Sequence, residues 1–412
     1  MSTFALILCF ENQSYGLFAI SSSISIFIGS LSAGAIYVCL AAKTKNLIKL
    51  FGFLKQNIER RGDVSALHAA LYRKQNIQNE KLTKIIFWYA IVVQIMITIP
   101  PLSLPMLYLF VGMPSPDYWT LPFPISPTVP FNMQNPAVYY AVLLLPISAT
   151  FTYFSIVGSF TALYITVCTY VATFIEDIEI NVLQLNEKLV AKEDRVDAYS
   201  QRNRVLLKEY LEFNVDCFDL MNDFKDIMSG PLFYQLLIYV LFVALYLLQC
   251  EEITNGMITN ILFNMCCLLT QMLFNYVTCH FASNLTSNSF SIGHLTYDLL
   301  WYRLPISDQK LIAMNIKRAQ IPYALKGYNF LHCSLQSYLN LLQSSVSYYM
   351  VFRQFSDDKL WEFIKYIVEP RSSIEPIPLP LSLITSITVD AHDAFKPLSV
   401  LSKFTAALHN AS

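Results

Sequence analysis

The chain has 412 residues, 55% of them apolar and 14% charged, with a formal net charge of -1. A charged share so far below the roughly 25% of ordinary soluble domains excludes water as the only solvent, and no block of Lys and Arg stands apart from the apolar runs to grip nucleic acid. Eleven glycines, nine cysteines and six histidines form no phosphate-binding loop, Cys-x-x-Cys, metal-ligand spacing or Gly-x-Ser-x-Gly elbow, so neither an enzyme nor a cofactor or metal site is expected.

The start, Phe4 to Phe10, is apolar but lacks a basic flank and a small-residue cleavage site, so it reads as a retained N-terminus. Asn12, in Asn12-Gln13-Ser14, is a glycosylation candidate. A bilayer core of about 30 Å needs roughly 20 apolar residues in helix, which alone satisfies its own backbone there. Six segments meet that test: Leu17 to Ala41, Ile85 to Val111, Ala137 to Ile175, Pro231 to Cys250, Ile258 to Ser283 and Leu331 to Phe352. The expected fold is all-α, a polytopic transmembrane helix bundle over 1–355, with 356–412 a loosely ordered C-terminal extension.

Lys and Arg set the orientation. The connection 42–84 carries Lys43, Lys45, Lys49, Lys55, Arg60, Arg61, Arg73, Lys74, Lys81 and Lys84, whereas 113–136 and 251–257 carry none. The basic connections 176–230 and 284–330 fall on the same side, which places both termini outside. Splitting Ala137 to Ile175 into two spans would put a basic loop on the outer face, so one long, tilted helix is expected. Pro100, Pro101 and Pro105 are expected to bend or end the second span and leave room for a cavity. Between Val205 and Met228, the helical spacing of Leu207, Tyr210, Leu211, Phe218, Met221 and Phe224 predicts a helix packed on its neighbours, either separate or an extension of the next span.

No Asp, Glu, Lys or Arg lies within the six spans, which disfavours a proton-coupled carrier. His280 reads as a hydrogen-bonding residue near a helix end. The last span is unusually polar. Ser337, Asn340, Ser344, Ser347, Val351 and Phe355 recur every three or four residues and form one stripe, as a water-filled pore with an apolar constriction requires. Ordinary interhelical contact through Ser and Asn accounts for the same pattern. In the outer halves of the first three spans, Ser23, Phe27, Met96, Thr98, Tyr139, Tyr140 and Leu143 make an apolar lining with a few hydroxyls, suited to a small apolar ligand or simply to core packing.

The stretch Ser291 to Phe355 resembles the insect odorant receptors. It carries His294, Tyr297, Asp298, Trp301 and Tyr302, then Ile316-Lys317-Arg318-Ala319-Gln320-Ile321-Pro322 with Leu325, Gly327 and Tyr328, and ends Ser347-Tyr348-Tyr349-Met350-Val351. Leu121-Pro122-Phe123-Pro124 is similar to that family's outer loop, while Gln354-Phe355 resembles the related gustatory receptors. The resemblance implies a tuning subunit of a ligand-gated cation channel in the plasma membrane of a sensory neuron. It implies a heteromer with the odorant receptor co-receptor, a volatile apolar ligand in the outer bundle, and a constriction at Val351, Gln354 and Phe355. The family has seven spans and this chain shows six, its first equivalent to the family's second. Alternatives are a gustatory receptor, a G-protein-coupled receptor, or a truncated receptor without function.

Overall fold

The computed structural model describes residues 17–62, 66–111, 136–190, 201–252, 258–321, 323–328 and 330–354. Its helices are α1 (Leu17–Ala42), α2 (Thr44–Gly62), α3 (Ala66–Val111), α4 (Pro136–Val190), α5 (Gln201–Glu252), α6 (Ile258–Tyr297), α7 (Ile306–Ala319) and α8 (Leu335–Gln354). A 3-10 turn, Trp301–Arg303, and a short antiparallel hairpin, β1 (Lys326–Gly327) with β2 (Leu331–His332), complete the described elements. We call the end of the bundle at Leu17, Val111 and Pro136 upper, and the end at the hairpin lower.

The long helices follow from sequence runs without an interior breaker strong enough to stop them. α4 holds 55 residues, about 80 Å at the rise of an α-helix and far beyond the thickness of a bilayer core. The apolar run that predicted one helix therefore continues past Glu176 and Asp177 into a lower extension. α5 behaves likewise: the segment from Val205 to Met228 is an extension of the helix above it, with Pro231 inside. α3 continues through Pro100, Pro101 and Pro105 to Val111, so these prolines do not end it. The last helix begins at Leu335 rather than Leu331, because Leu331 and His332 pair with Gly327 and Lys326. Among the described residues, three segments are long and apolar enough to cross a membrane by length and composition: Ile24–Ala42, Ile147–Glu187 and Arg204–Cys250.

α1 packs chiefly on α5, α3 on α4, α4 on α6, and α8 on α5 and α6. The core lies at the α4–α5 seam, where Phe160, Tyr164, Phe174, Met221, Phe224 and Tyr239 are fully buried. Cys168, Cys217, Cys267, Cys279 and Cys333 are buried free thiols that pack as small hydrophobes. At the lower end Tyr323 is buried with its hydroxyl donating to the Met221 carbonyl at 2.6 Å, and burial pushes its phenol well above the ordinary tyrosine range.

The hairpin docks against α5 beside Pro231. A Cβ on Gly327 would sit 2.7 Å from Phe233 Cα, a distance only glycine permits. Tyr328 takes the left-handed backbone region at φ 43°, donates its N–H to Ser229 Oγ at 2.9 Å and packs its ring edge-on to Phe233 at 5.3 Å. The segment leading into α8 is thereby fixed to the middle of α5.

Candidate functional site

α3 and α4 run antiparallel in a register marked by polar rungs. At the lower end, His68 Nε2 and Asp177 Oδ1 lie 2.9 Å apart with both side chains fully buried, and Tyr72 donates to Asp177 Oδ2 at 2.8 Å. Higher, Tyr170 donates to Asn76 Oδ1 at 2.5 Å and Thr169 donates to Asn79 Oδ1 at 2.6 Å. Ala90 then faces Gly158, where a Cβ would find ordinary contact at 4.0 Å. Near the top, Gln94 Nε2 donates to Thr150 Oγ1 at 3.2 Å. These pairings fix which faces of the two helices meet the remaining bundle.

Above the Ala90 contact the helices enclose an aromatic cluster. Val93, Phe154 and Cys267 are buried at its centre, packed by Ile26, Tyr89, Tyr153, Tyr246 and Cys266. Phe242 stacks on Tyr246 at 5.7 Å with nearly parallel planes and meets Tyr153 edge-on at 6.4 Å. Gly29 makes room for that ring, since a Cβ there would lie 2.9 Å from Phe242 Cζ. Polar groups ring the cluster: Tyr89 Oη and Thr270 Oγ1 share a hydrogen bond at 3.0 Å, the Gln271 amide donates to the Tyr153 hydroxyl, and Gln249 Nε2 donates to Ser25 Oγ at 2.9 Å. Five helices, α1, α3, α4, α5 and α6, thus contribute to one apolar cluster bordered by a few oriented dipoles, a lining of the kind small-molecule sites use.

α8 presents three faces. Tyr338, Leu341 and the fully buried Ser345 turn to the bundle; Tyr338 stacks on Tyr239 at 5.8 Å and its hydroxyl donates to the Met272 carbonyl at 3.4 Å. A second face carries Asn340 and Ser347, both exposed, with Ser337 and Ser344 half-buried. A third carries Leu339, Val346 and Met350, exposed by 58%, 42% and 46%. Ser344 and Ser347 turn their protons back onto the Asn340 and Gln343 carbonyls at 2.9 and 3.1 Å. That habit satisfies hydroxyls along a helix without a partner helix.

A family model described as the 7tm odorant receptor matches residues 17–346. The chain belongs to the odorant receptor family. In Drosophila melanogaster, a protein named "Putative odorant receptor 85d" is 36% identical over 72 residues, which is 18% of each chain. Two solved structures of the insect olfactory receptor OR5 from Machilis hrabei share the fold. The one in complex with eugenol has a TM-score of 0.63 at 12% identity, over 86% of this chain and 87% of that one. The other has a TM-score of 0.60 at 14% identity over the same shares. This is a membrane protein with the transmembrane helical bundle of an odorant receptor, and the family decides between the odorant and gustatory readings of its C-terminal motifs.

In this odorant receptor the residues singled out from sequence fall in several places. Leu143 is buried in upper α4, Phe27 is half-buried in α1, and Thr98 is half-buried and accepts from Gln94 Nε2 at 3.3 Å. Met96 is 58% exposed, one residue from the helix face that carries Val93 and Gln94. Ser23 lies in α1 and Tyr139 and Tyr140 in α4, with side chains outside the described residues; Asn12 and Phe355 also lie outside them. Val351 is half-buried near the end of α8, and Gln354 closes that helix. His280, expected near a helix end, lies inside α6, where it stacks on Tyr276 at 5.8 Å and shares a hydrogen bond with Asn284 at 3.1 Å.

Sequence reasoning passed over the residues that build the enclosure: Tyr89, Tyr153, Phe242, Tyr246 and Gln271. A signal was present, since Gln94, Gln249 and Gln271 are amides within apolar runs. Such groups turn inward toward partners rather than face lipid.

Proposed function

We propose that this odorant receptor is the tuning subunit of a ligand-gated cation channel formed with the odorant receptor co-receptor in the plasma membrane of a sensory neuron. A small volatile, largely apolar molecule occupies the enclosure between Tyr89, Tyr153, Phe154 and Tyr246. The polar face of α8, with Asn340, Ser344 and Ser347, lines the permeation path, and Val351, Gln354 and Phe355 form its constriction. In this reading six spans leave both termini outside, as the Lys and Arg distribution implies, and the enclosure lies in the outer half of the bundle. Residues 1–355 form the channel unit, and 356–412 extend from it.

The observation that carries this reading is the amphipathic outer surface of α8. A helix at the margin of a membrane bundle with the amides of Asn340 and Gln343 exposed needs water or another subunit against them, because hydrocarbon does not compensate their polar groups. Leu339, Val346 and Met350 on the adjoining face suit contact with a neighbouring subunit. Lower down, Leu311 and Met314 of α7 are 50% and 68% exposed, which fits an assembly that continues below the membrane. The receptor of Machilis hrabei solved with eugenol supports a small organic ligand for the same fold.

Ligand favours the open conformation only through tighter binding to it. Thiol-reactive, water-soluble methanethiosulfonates applied to heteromers carrying Ser344→Cys or Ser347→Cys should block current at a rate that rises when ligand is present. Val346→Cys should be insensitive. Modification of Val346→Cys alone would place the water-filled path on another face of α8.

A further inference from the structure

The hydrogen bonds around Gln94 leave one acceptor without a donor. Gln94 Nε2 donates to Thr98 Oγ1 at 3.3 Å and to Thr150 Oγ1 at 3.2 Å. Which end of the amide faces these hydroxyls follows from their own protons. Thr98 Oγ1 donates to the Gln94 backbone carbonyl at 2.7 Å, and Thr150 Oγ1 donates to the Ile147 carbonyl at 3.0 Å. The Thr98 hydroxyl has one proton and gives it to the backbone, so it can only accept from Gln94, and the nitrogen must face it. Gln94 Oε1 is then buried without a hydrogen-bond partner. A buried amide oxygen left so is destabilised relative to water, and such groups in folded proteins meet a donor.

The place of this oxygen points to what supplies the donor. Gln94 follows Val93, the buried α3 residue of the aromatic cluster, and Thr150 stands one turn above Phe154, its buried α4 residue. The amide therefore sits on the α3–α4 seam at the upper border of the aromatic cluster.

We propose that Gln94 Oε1 accepts a hydrogen bond from the ligand, so that the receptor is tuned to hydroxyl-bearing volatiles, alcohols above all, over analogues of the same shape without an O–H. The inference rests on the reading of the enclosure as the ligand site. A site that orients a ligand by one hydrogen bond discriminates strongly against an analogue lacking the donor, because the site's own polar group is then left unpaired. Water bound at Oε1 would give no such discrimination.

The test uses ligand-evoked current from the full chain co-expressed with the co-receptor, with surface labelling of each variant. The probes are alcohols and their methyl ethers in matched pairs, 1-hexanol with hexyl methyl ether and 2-phenylethanol with its methyl ether. We expect the alcohol of at least one pair to be more potent than its ether by about tenfold. Gln94→Leu should erase that difference by weakening the alcohol and sparing the ether. Gln94→Met, which keeps the length and flexibility of the side chain, carries the same expectation if Gln94→Leu does not reach the surface.

Equal potency of alcohol and ether, silence to every alcohol, or equal loss for both members in the Gln94 variants would overturn the proposal. Tyr153→Ala separates this outcome from failure of the site itself. A response weakened by Tyr153→Ala but indifferent to Gln94 refutes only the role of the amide, whereas a response indifferent to both refutes the enclosure as the ligand site.

Discussion

The Tyr338 hydroxyl donates to the Met272 carbonyl at 3.4 Å, while the neighbouring Gln271 amide donates to the Tyr153 hydroxyl. Consecutive residues of α6 therefore hold α8 on one side and the aromatic enclosure on the other. Tyr338 also stacks on Tyr239 of α5 and meets Tyr276 edge-on at 5.9 Å. If ligand in the proposed site displaces α6, Tyr338 is a contact through which α8 would follow.

Tyr338→Ala removes a hydrogen bond and two ring contacts, together worth about 1.5–4.5 kcal/mol if each contributes its usual amount. The expected outcome is a lower maximal ligand-evoked current with surface delivery retained, and a smaller loss for Tyr338→Phe, which keeps the stacking. Concentration–response curves with surface labelling check it. A double-mutant cycle with Gln271→Leu measures the coupling directly, and strictly additive effects would show that the two contacts act independently.

The hairpin ahead of α8 offers a second handle. Gly327→Ala forces a Cβ to 2.7 Å from Phe233 Cα, and backbone cannot yield as a side chain would. The hairpin must lift from α5, so Gly327→Ala should alter basal current or abolish surface expression. Tyr328→Gly keeps the left-handed backbone but loses the ring contacts and should be milder. Normal expression and gating in Gly327→Ala would show that the hairpin is not held as described.

Asp177 organises the lower α3–α4 seam by accepting from Tyr72 beside the fully buried His68. Removing the Asp177 carboxylate takes away the buried acceptor of the Tyr72 hydroxyl, and losing such a buried hydrogen-bond partner costs about 1–3 kcal/mol. Asp177→Ala should therefore impair folding and surface delivery more than ligand potency. Surface biotinylation beside total protein reads the difference, and near-normal delivery would mean that the pair contributes little.

The helices were legible because their apolar runs are long and bounded by charge or proline-rich stretches. The stripe on α8 was legible because Ser337, Asn340, Ser344 and Ser347 repeat with the helical period. The enclosure was not, because its members lie on five helices and meet through the register of α3 against α4. Rungs such as His68 with Asp177, separated by 109 positions in sequence, carry no local signature of partnership. Their spacing within each helix was visible: His68, Tyr72, Asn76 and Asn79 on one side, Thr169, Thr173 and Asp177 on the other. Periodicity identifies an inward polar face without naming what it meets. The hairpin was hidden for a different reason. Leu331 and His332 read as the start of an apolar run, and only the close approach of Gly327 to Phe233 shows why the helix waits until Leu335.

The most direct measurement is ligand-evoked current in cells expressing this chain with the co-receptor, across a panel of volatiles and with a G-protein blocker present. We expect current that requires this chain, persists under the blocker, and changes in ion selectivity with Val351→Ala or Phe355→Ala. Silence with surface expression confirmed, current abolished by the blocker, or permeation indifferent to both substitutions would contradict a channel subunit gated through α8.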